Sequence, residues 1–178
     1  MRTAVPKEVA LTRVDSALGS LVSETRLNHG HVDLVCAPEN LVEVMSLLRS
    51  AEGVECRFFT FLTGIDRSEY KDDPGGLEVL IHVYSPEEVL HVTVHVPVDA
   101  ESPSCPSITG LYHGAQWQER EAHEMFGIEF PGHPNLANLL LPEDFEGNPL
   151  RRRFKLPSRF VKDWPGAKDP EEAAAGGR

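Results

Sequence analysis

The sequence predicts an α+β fold of two layers, in which helices cover one face of a small, mostly antiparallel sheet. Valines at positions 92, 94 and 96 alternate with polar residues, as in a strand with one buried and one exposed face. Apolar residues at positions 41, 44, 45 and 48 repeat with the period of a helix that buries one side. An extended, proline-rich C-terminal tail is predicted to follow this domain.

The first half of the domain is predicted as helix, strand and helix. Apolar residues between positions 9 and 21 follow a helical period that stops near Gly19. Residues 31–37 have the composition of a short strand. The clearest helix covers residues 38–51, because its apolar face is regular and Gly53 follows as an end signal.

Three further strands complete the predicted sheet. Residues 57–65 are rich in phenylalanine and threonine, which favour strands. After a loop at residues 72–76, two strands are predicted at 77–84 and 89–98. Only residues 85–88 connect them, and so short a connection favours an antiparallel pair.

The second half is organised differently. A helix is predicted at residues 116–126, ending at Gly127, and it closes a domain of residues 1–130. Prolines then recur every few residues and prevent long helices and central strands. Because large apolar residues lie between them, residues 131–170 are expected to lie along a surface of this domain or of a partner. Residues 171–178 are expected to be disordered.

Composition fits one globular domain and argues against several classes of protein. The chain has 178 residues and a net charge of −11, so it is a poor candidate for binding nucleic acid or an anionic lipid surface. No apolar run approaches the length of a membrane helix, and the N-terminus is not expected to be a secretory signal. Three widely spaced cysteines are typical of a reducing compartment.

A search for reactive groups predicts no catalytic, cofactor-binding or metal site in this chain. Residues 123–127 begin like the helix motif of zinc proteases, but glycine stands where the second histidine is needed. His91 and His95 are too far apart along one strand to share a metal ion. His29 and His31 could share one, but no third ligand is evident. Purified protein is therefore expected to carry no chromophore and no stoichiometric metal.

The stretch from Trp117 to Pro134 combines aromatic, charged and turn residues in a specific order. Its Glu-Arg-Glu run, followed by Gly-Ile-x-Phe-x-Gly-His-Pro at residues 127–134, resembles the signature of the 30 kDa-type (C) subunit of proton-pumping NADH:quinone oxidoreductase, respiratory complex I. Residues 140–151 are similar to a second run of that family. The resemblance covers about residues 30–155.

The resemblance implies a non-catalytic structural and assembly subunit of the peripheral arm, at the cytoplasmic side of the cell membrane. Members of this family dock on the quinone-site (D) subunit, near the iron–sulfur subunits. The flavin, iron–sulfur clusters and quinone belong to those partner subunits, and this chain holds none. The residues expected at the partner interface are Trp117, Glu119, Arg120, Glu121, Glu124, Phe126, Gly127, His133, Pro134, Leu141, Pro142, Gly147, Pro149, Leu150 and Arg151.

Within that interface, Glu119, Arg120 and Glu121 are expected to form buried charge pairs that fix the choice of partner. The sequence departs from the family at Ala137 and Asn138, where a pair of arginines is usual.

Other functions remain open on the sequence alone. One is the equivalent subunit of a related membrane-bound hydrogenase, or of a quinone reductase complex with another electron donor. A second is a stand-alone adaptor domain that binds peptides at its sheet edge. A third is a metal-dependent enzyme that uses His123, Glu124 and His133.

Overall fold

The computed structural model describes residues 6–70 and 75–156 of the chain. It confirms the predicted α+β class, because the described residues form a five-stranded, mostly antiparallel sheet with three α-helices. In chain order the elements are α1 (Lys7–Leu18), β1 (Val22–Asn28), β2 (His31–Cys36), α2 (Leu41–Ser50), β3 (Phe58–Asp66), β4 (Leu77–Ser85), β5 (Leu90–Val98) and α3 (Ala115–Phe126).

The strands lie side by side in the order β1-β2-β5-β4-β3. Neighbouring strands are antiparallel except for β2 and β5, which run parallel at the centre. Val94 of β5 lies opposite Leu34 of β2 on one side and Ile81 of β4 on the other. This register places the aliphatic residues of three strands on one face of the sheet.

Helices α1 and α2 cover this aliphatic face and form the core with it. Val14 of α1 and Leu41, Val44, Met45 and Leu48 of α2 are fully buried there. The four residues of α2 are those whose spacing predicted a buried helix face, and each contributes about 1.5–3 kcal/mol by leaving water.

Helix α3 lies beside the edge strand β3. The side-chain oxygen of Gln118 accepts the backbone N–H of Leu62 in that strand. Gly64 of β3 faces the ring of Phe126 so closely that a Cβ atom at this glycine would lie 2.5 Å from the ring. The helix therefore covers an edge that would otherwise expose unpaired strand groups.

The opposite face of the sheet is polar, and we call it the polar face. It carries His31 and Asp33 from β2, Phe61 from β3, Glu78, His82 and Tyr84 from β4, and His91 and His95 from β5. The alternation of valines and polar residues along β5 predicted that this face is exposed. However, three of its polar residues are buried by their neighbours: Asp33, Glu78 and His82.

Two predicted features differ from the structure. Strand β1 was not predicted, because it is an edge strand with no buried residue and so lacks an alternating apolar pattern. Helix α2 begins at Leu41, since Pro38–Asn40 form a 3₁₀ turn. The predicted tail beyond residue 156 and the predicted disordered end lie outside the described residues.

Candidate docking site around the third helix

Helix α3 ends where the sequence predicted. Gly127 adopts a left-handed conformation (φ 71°), and its N–H donates to the carbonyl of His123 at 2.7 Å. Beyond it, the N–H of Cys105 donates to the carbonyl of Glu129, and the N–H of Ser107 donates to the carbonyl of Pro131. These bonds tie the segment after the helix to the segment before it.

Glu119 is completely buried beneath this junction. One carboxylate oxygen accepts the N–H of Ile108 at 2.8 Å, and the other has no hydrogen-bond partner among the described residues. Burial raises the pKa of Glu119 and outweighs the opposing effects of the Ser107 hydroxyl and the Ile108 N–H. Glu119 thus binds a backbone group of its own domain, whereas the sequence had led us to expect a charge pair.

Glu124, five residues further along α3, binds the segment that follows the helix. Its two carboxylate oxygens accept the backbone N–H groups of Leu139, Leu140 and Leu141, the last at 2.8 Å. A carboxylate that receives several N–H groups makes strong, charge-assisted hydrogen bonds. This single side chain therefore fixes three consecutive residues against α3.

Arg120 binds the same segment from the neighbouring position. Its Nε and Nη2 atoms donate to the carbonyls of Ala137 and Asn138, both at 2.7 Å. Its guanidinium group also lies 5.4 Å from the centre of the Trp117 ring, a distance typical of a cation–π contact. Ala137 and Asn138 are the two positions that depart from the family pattern. Arg120 contacts their backbone carbonyls, which any residue at these positions would present.

The last carbonyls of α3 are satisfied by residues 148–151, at the end of the second run that is similar to the family. Asn148 donates to the carbonyl of Glu124 at 3.0 Å, and the N–H of Leu150 donates to the carbonyl of Met125 at 3.1 Å. Arg151 donates to the carbonyl of Phe126 at 2.5 Å. Helix ends leave four carbonyls without helical partners. Two side chains and the backbone N–H of Leu150 supply donors to three of them, and the N–H of Gly127 serves the carbonyl of His123.

Asp66, at the end of β3, binds Arg152, the residue of the tail that follows Arg151. Its carboxylate accepts the N–H of Arg152 at 3.0 Å and the hydroxyl of Ser68 at 2.6 Å. Burial alone would raise the pKa of Asp66, but these hydrogen bonds outweigh it and hold the pKa below its ordinary value. The Arg152 guanidinium lies 4.3 Å from the centre of the Tyr70 ring.

Although this segment is firmly attached, it leaves large apolar side chains in solvent. Leu140 is 61% exposed, Leu150 is 54% exposed, and Trp117 on the adjoining helix is 58% exposed. We use the name apolar patch for these three residues together with Phe145, that is, for exposed apolar residues of α3 and of the segment bound to it. Exposed apolar residues on an ordered segment are typical of a protein interface.

The predicted interface residues divide by burial. Those buried within this chain are Glu119, Glu124 and Phe126. Those exposed are Trp117, Glu121, Pro134, Pro142, Gly147 and Leu150, and those half-buried are Arg120, Gly127, His133, Leu141, Pro149 and Arg151. The exposed members remain free to contact a partner.

The three residues of the hypothetical metal-dependent enzyme have separate partners. His123 bonds with the carbonyl of Ile128 at 2.9 Å and His133 with that of Gln116 at 3.0 Å, while Glu124 holds the tail. Within the part of the chain that the structure describes, their ligand atoms do not all lie within 4.8 Å of one another, as those of a shared metal site would. This geometry does not favour that enzyme.

One cluster on the polar face was missed by sequence reasoning. His31, His82 and His91 come together from three strands, and each offers a ring nitrogen within 4.8 Å of the others. The alternation of residues had placed His91 on the polar face. However, only the strand order β2-β5-β4 reveals its two neighbours.

Comparison with known proteins identifies the family. Residues 34–160 match the model of the respiratory-chain NADH dehydrogenase 30 kDa subunit, which is well over half of the chain. The chain belongs to this family. The resemblance found in the α3 signature is thereby confirmed, and so is the assignment to the C subunits of NADH-quinone oxidoreductase in respiratory-chain electron transport.

Curated relatives agree over most of their length. The chain is 37% identical over 145 residues to the NADH-quinone oxidoreductase C subunit of Sinorhizobium medicae, covering 80% of this chain and 69% of the relative. It is 36% identical over 158 residues to the same subunit of a Roseiflexus species, covering 89% of each.

Two solved structures share the fold. A trypsin-resistant fragment of Nqo5 aligns with a TM-score of 0.58 and 26% identity, over 71% of this chain and 99% of the fragment. A chain of an archaeal membrane-bound sulfane sulfur reductase aligns with a TM-score of 0.66 and 18% identity, over 88% of this chain and 95% of that one. No helix within residues 6–70 or 75–156 has the length and apolar character needed to cross a lipid bilayer.

Proposed function

We propose that this chain is a non-catalytic structural and assembly subunit of the peripheral arm of proton-translocating NADH:quinone oxidoreductase. In this proposal it docks on the quinone-site subunit, beside the iron–sulfur subunits, on the cytoplasmic side of the membrane. The partner subunits carry the flavin, the clusters and the quinone. One observation carries the proposal: the charged residues of α3 hold the tail in place, and the tail presents an apolar patch.

The polar groups of α3 support a structural role because they are already engaged. The carboxylate of Glu124 accepts three backbone N–H groups. The buried carboxylate of Glu119 accepts one. Arg120 binds two carbonyls. A general acid or base must reach the substrate's proton, and groups so engaged are poorly placed to do so.

The apolar patch indicates the kind of surface that covers it. Burial of one leucine or tryptophan side chain contributes about 1.5–3 kcal/mol or more, so Leu140, Leu150 and Trp117 are strong candidates for the centre of an interface. Exposed charges of both signs flank these leucines along the chain: Glu143, Asp144 and Glu146 lie between Leu140 and Leu150, and Arg153 and Lys155 follow Leu150. A partner with an apolar centre and a rim that carries both charges would match this arrangement.

The test replaces the centre of the patch with charge. Leu150→Glu and Leu140→Glu are expected to reduce co-purification with the quinone-site subunit and the amount of this chain in the isolated complex. Val42→Glu is the matched control, because Val42 is also exposed but lies on α2, away from the patch. Wild-type assembly by both leucine variants would refute docking through this surface and would favour the adaptor hypothesis.

A further inference from the structure

The polar face of the sheet brings three imidazole rings together. His31, His91 and His82 come from the adjacent strands β2, β5 and β4. The ring centres of His31 and His91 are 4.5 Å apart, and those of His82 and His91 are 5.3 Å apart. One nitrogen of each ring lies within 4.8 Å of a nitrogen of both others.

We propose that His31, His82 and His91 form a binding site for a divalent transition metal ion, with zinc as the best-fitting ion. Imidazole nitrogen is a preferred ligand of zinc, and three histidines with one further position form a common tetrahedral set. At Zn–N distances of about 2.0–2.1 Å, two ligands of a tetrahedron are about 3.4 Å apart. The Nδ1 of His91 and the Nε2 of His82 are already 3.3 Å apart.

The third ligand must change the orientation of its ring to complete this pair. His31 is exposed on β2 and stacks on His91 with 17° between the ring planes, so its side chain has to rotate to direct a nitrogen at an ion between the other two rings. His82 and His91 are held more firmly. Phe61 stacks on His82 at 5.5 Å between ring centres, and Tyr84 lies 4.4 Å from His91. Rings fixed in this way give a preorganised site.

The facing nitrogens of His82 and His91 are the best-placed pair of ligands. When His82 carries its proton on Nδ1 and His91 carries its proton on Nε2, both facing nitrogens present lone pairs, and a cation between the rings would use both. The Nδ1 atom of His82 is buried and has no hydrogen-bond partner among the described residues, and an ion at Nε2 leaves it so.

Two buried carboxylates lie on the same face as the cluster, and each also has an arginine beside it: Arg26 lies 3.9 Å from Asp33, and Arg67 lies 2.7 Å from Glu78. Asp33 and Glu78 are buried on the same face, and their carboxylate oxygens lie 3.9 and 3.4 Å from the ring of His95. The carboxylate of Asp33 acts directly on His82.

The site departs from the expectation of a metal-free chain. That expectation followed from pairs along single strands, which cannot chelate one ion. The present cluster uses one residue from each of three strands. The fourth position is left for water or for a side chain of a partner that covers the polar face.

The experiment titrates the full chain, after treatment with a chelator, with Zn²⁺ and separately with Co²⁺. We expect one ion per chain, and a visible absorption band typical of tetrahedral cobalt. His31→Ala and His91→Gln should each weaken binding more than about 100-fold, since even the partners of metal ligands contribute about 10–100-fold. His31 is exposed, so its replacement should leave the fold intact, as circular dichroism would show.

His113→Ala is the matched control, because His113 is an exposed histidine outside the cluster. It should bind zinc like the wild type, and Mg²⁺ should not bind to any variant at this site. The proposal is overturned if no saturable binding of one ion occurs, or if His31→Ala and His91→Gln bind as tightly as the control. The result is independent of docking on the quinone-site subunit, which the leucine variants test separately.

Discussion

Glu119 shows how a residue of a family signature can serve the fold of its own domain. Its side chain is fully enclosed, and one oxygen binds the Ile108 N–H. We expect Glu119→Gln to be as stable as the wild type at neutral pH or more so, because the amide oxygen replaces that acceptor without the cost of a buried charge. Glu119→Ala should lose about 1–3 kcal/mol of unfolding free energy, since it leaves a buried N–H unpaired.

Urea unfolding at several pH values measures both variants. Because the pKa of Glu119 is raised in the folded state, wild-type stability should increase as the pH falls towards the ordinary range of a carboxyl group. Glu119→Gln should lack this increase. If Glu119→Gln were as unstable as Glu119→Ala at neutral pH, the ionised carboxylate would be required and the expected charge pair would regain support.

Asp66 makes attachment of the tail sensitive to acid. Its pKa is lowered in the folded state, so its contribution is complete above the ordinary pKa of an aspartate and is lost as the pH falls through the lowered value. We expect amide exchange of residues 150–154 to accelerate, after correction for intrinsic rates, as the pH falls through that range. Hydrogen exchange with mass spectrometry measures this, with Asp144→Asn as an exposed control. An Asp66→Asn variant that kept the wild-type acid profile would contradict it.

At the scale of whole elements, the sequence predicted those whose signal is local. Helix α2 was found from its apolar period, and α3 from its terminal Gly127. Strand β1 was not predicted because an edge strand without a buried residue carries no alternating apolar pattern. The histidine cluster escaped for a different reason: it depends on the parallel pairing of β2 with β5, which is a non-local property of the sheet.

The attachment of the tail to α3 was predicted only in part. Prolines and apolar residues indicated an extended segment on a surface. The anchors, however, are bonds from side chains to backbone groups, and these leave no pattern in sequence spacing. Glu124 is the clearest case, since it was expected at a partner interface and its carboxylate lies on residues 139–141 of its own chain.

This anchoring predicts the behaviour of Glu124→Ala. Removing the carboxylate leaves the N–H groups of Leu139, Leu140 and Leu141 without their acceptor, and one charge-assisted hydrogen bond contributes about 1.5–3 kcal/mol. We expect trypsin to cut the variant between residues 151 and 155 at least about tenfold faster than the wild type. Glu121→Ala is the control, because Glu121 is exposed on the same helix. Equal cleavage rates for the two variants would show that Glu124 does not hold the tail.

At the scale of the whole molecule, charge is distributed unevenly. The chain carries a net charge of −11, yet three arginines and a lysine fall between positions 151 and 155. Arg151 and Arg152 are bound to backbone groups and to Asp66, and the exposed Arg153 lies 3.7 Å from the carboxylate of Glu101. Because Glu143, Asp144 and Glu146 are exposed between Leu140 and Leu150, the charges beside the apolar patch have both signs, and a partner with complementary charges on its rim would approach in one orientation.

Arg120→Ala and Glu121→Ala should both impair assembly of the complex, but by different routes. Arg120 holds the backbone at Ala137 and Asn138, so its loss should loosen the tail in the isolated chain and displace the apolar patch. Glu121 faces solvent, so its loss should leave the isolated chain unchanged and act only where a partner contacts it. The measurements are the amount of this chain in the isolated complex, protease sensitivity of the free chain, and quinone-reductase turnover per assembled particle.

Because the proposed role is structural, turnover per particle should stay at the wild-type level in both variants while the amount of this chain in the complex falls. Glu43→Ala provides the control, since Glu43 is exposed on α2 at a distance in sequence from the tail. A buried charge that loses its partner costs about 3–5 kcal/mol, whereas an exposed pair contributes about 0–1 kcal/mol. The decrease in the amount of this chain in the complex therefore also reports how deeply the partner covers each residue. If both variants assembled normally and turnover per particle collapsed, these residues would act in catalysis or coupling, and the proposed structural role would fail at α3.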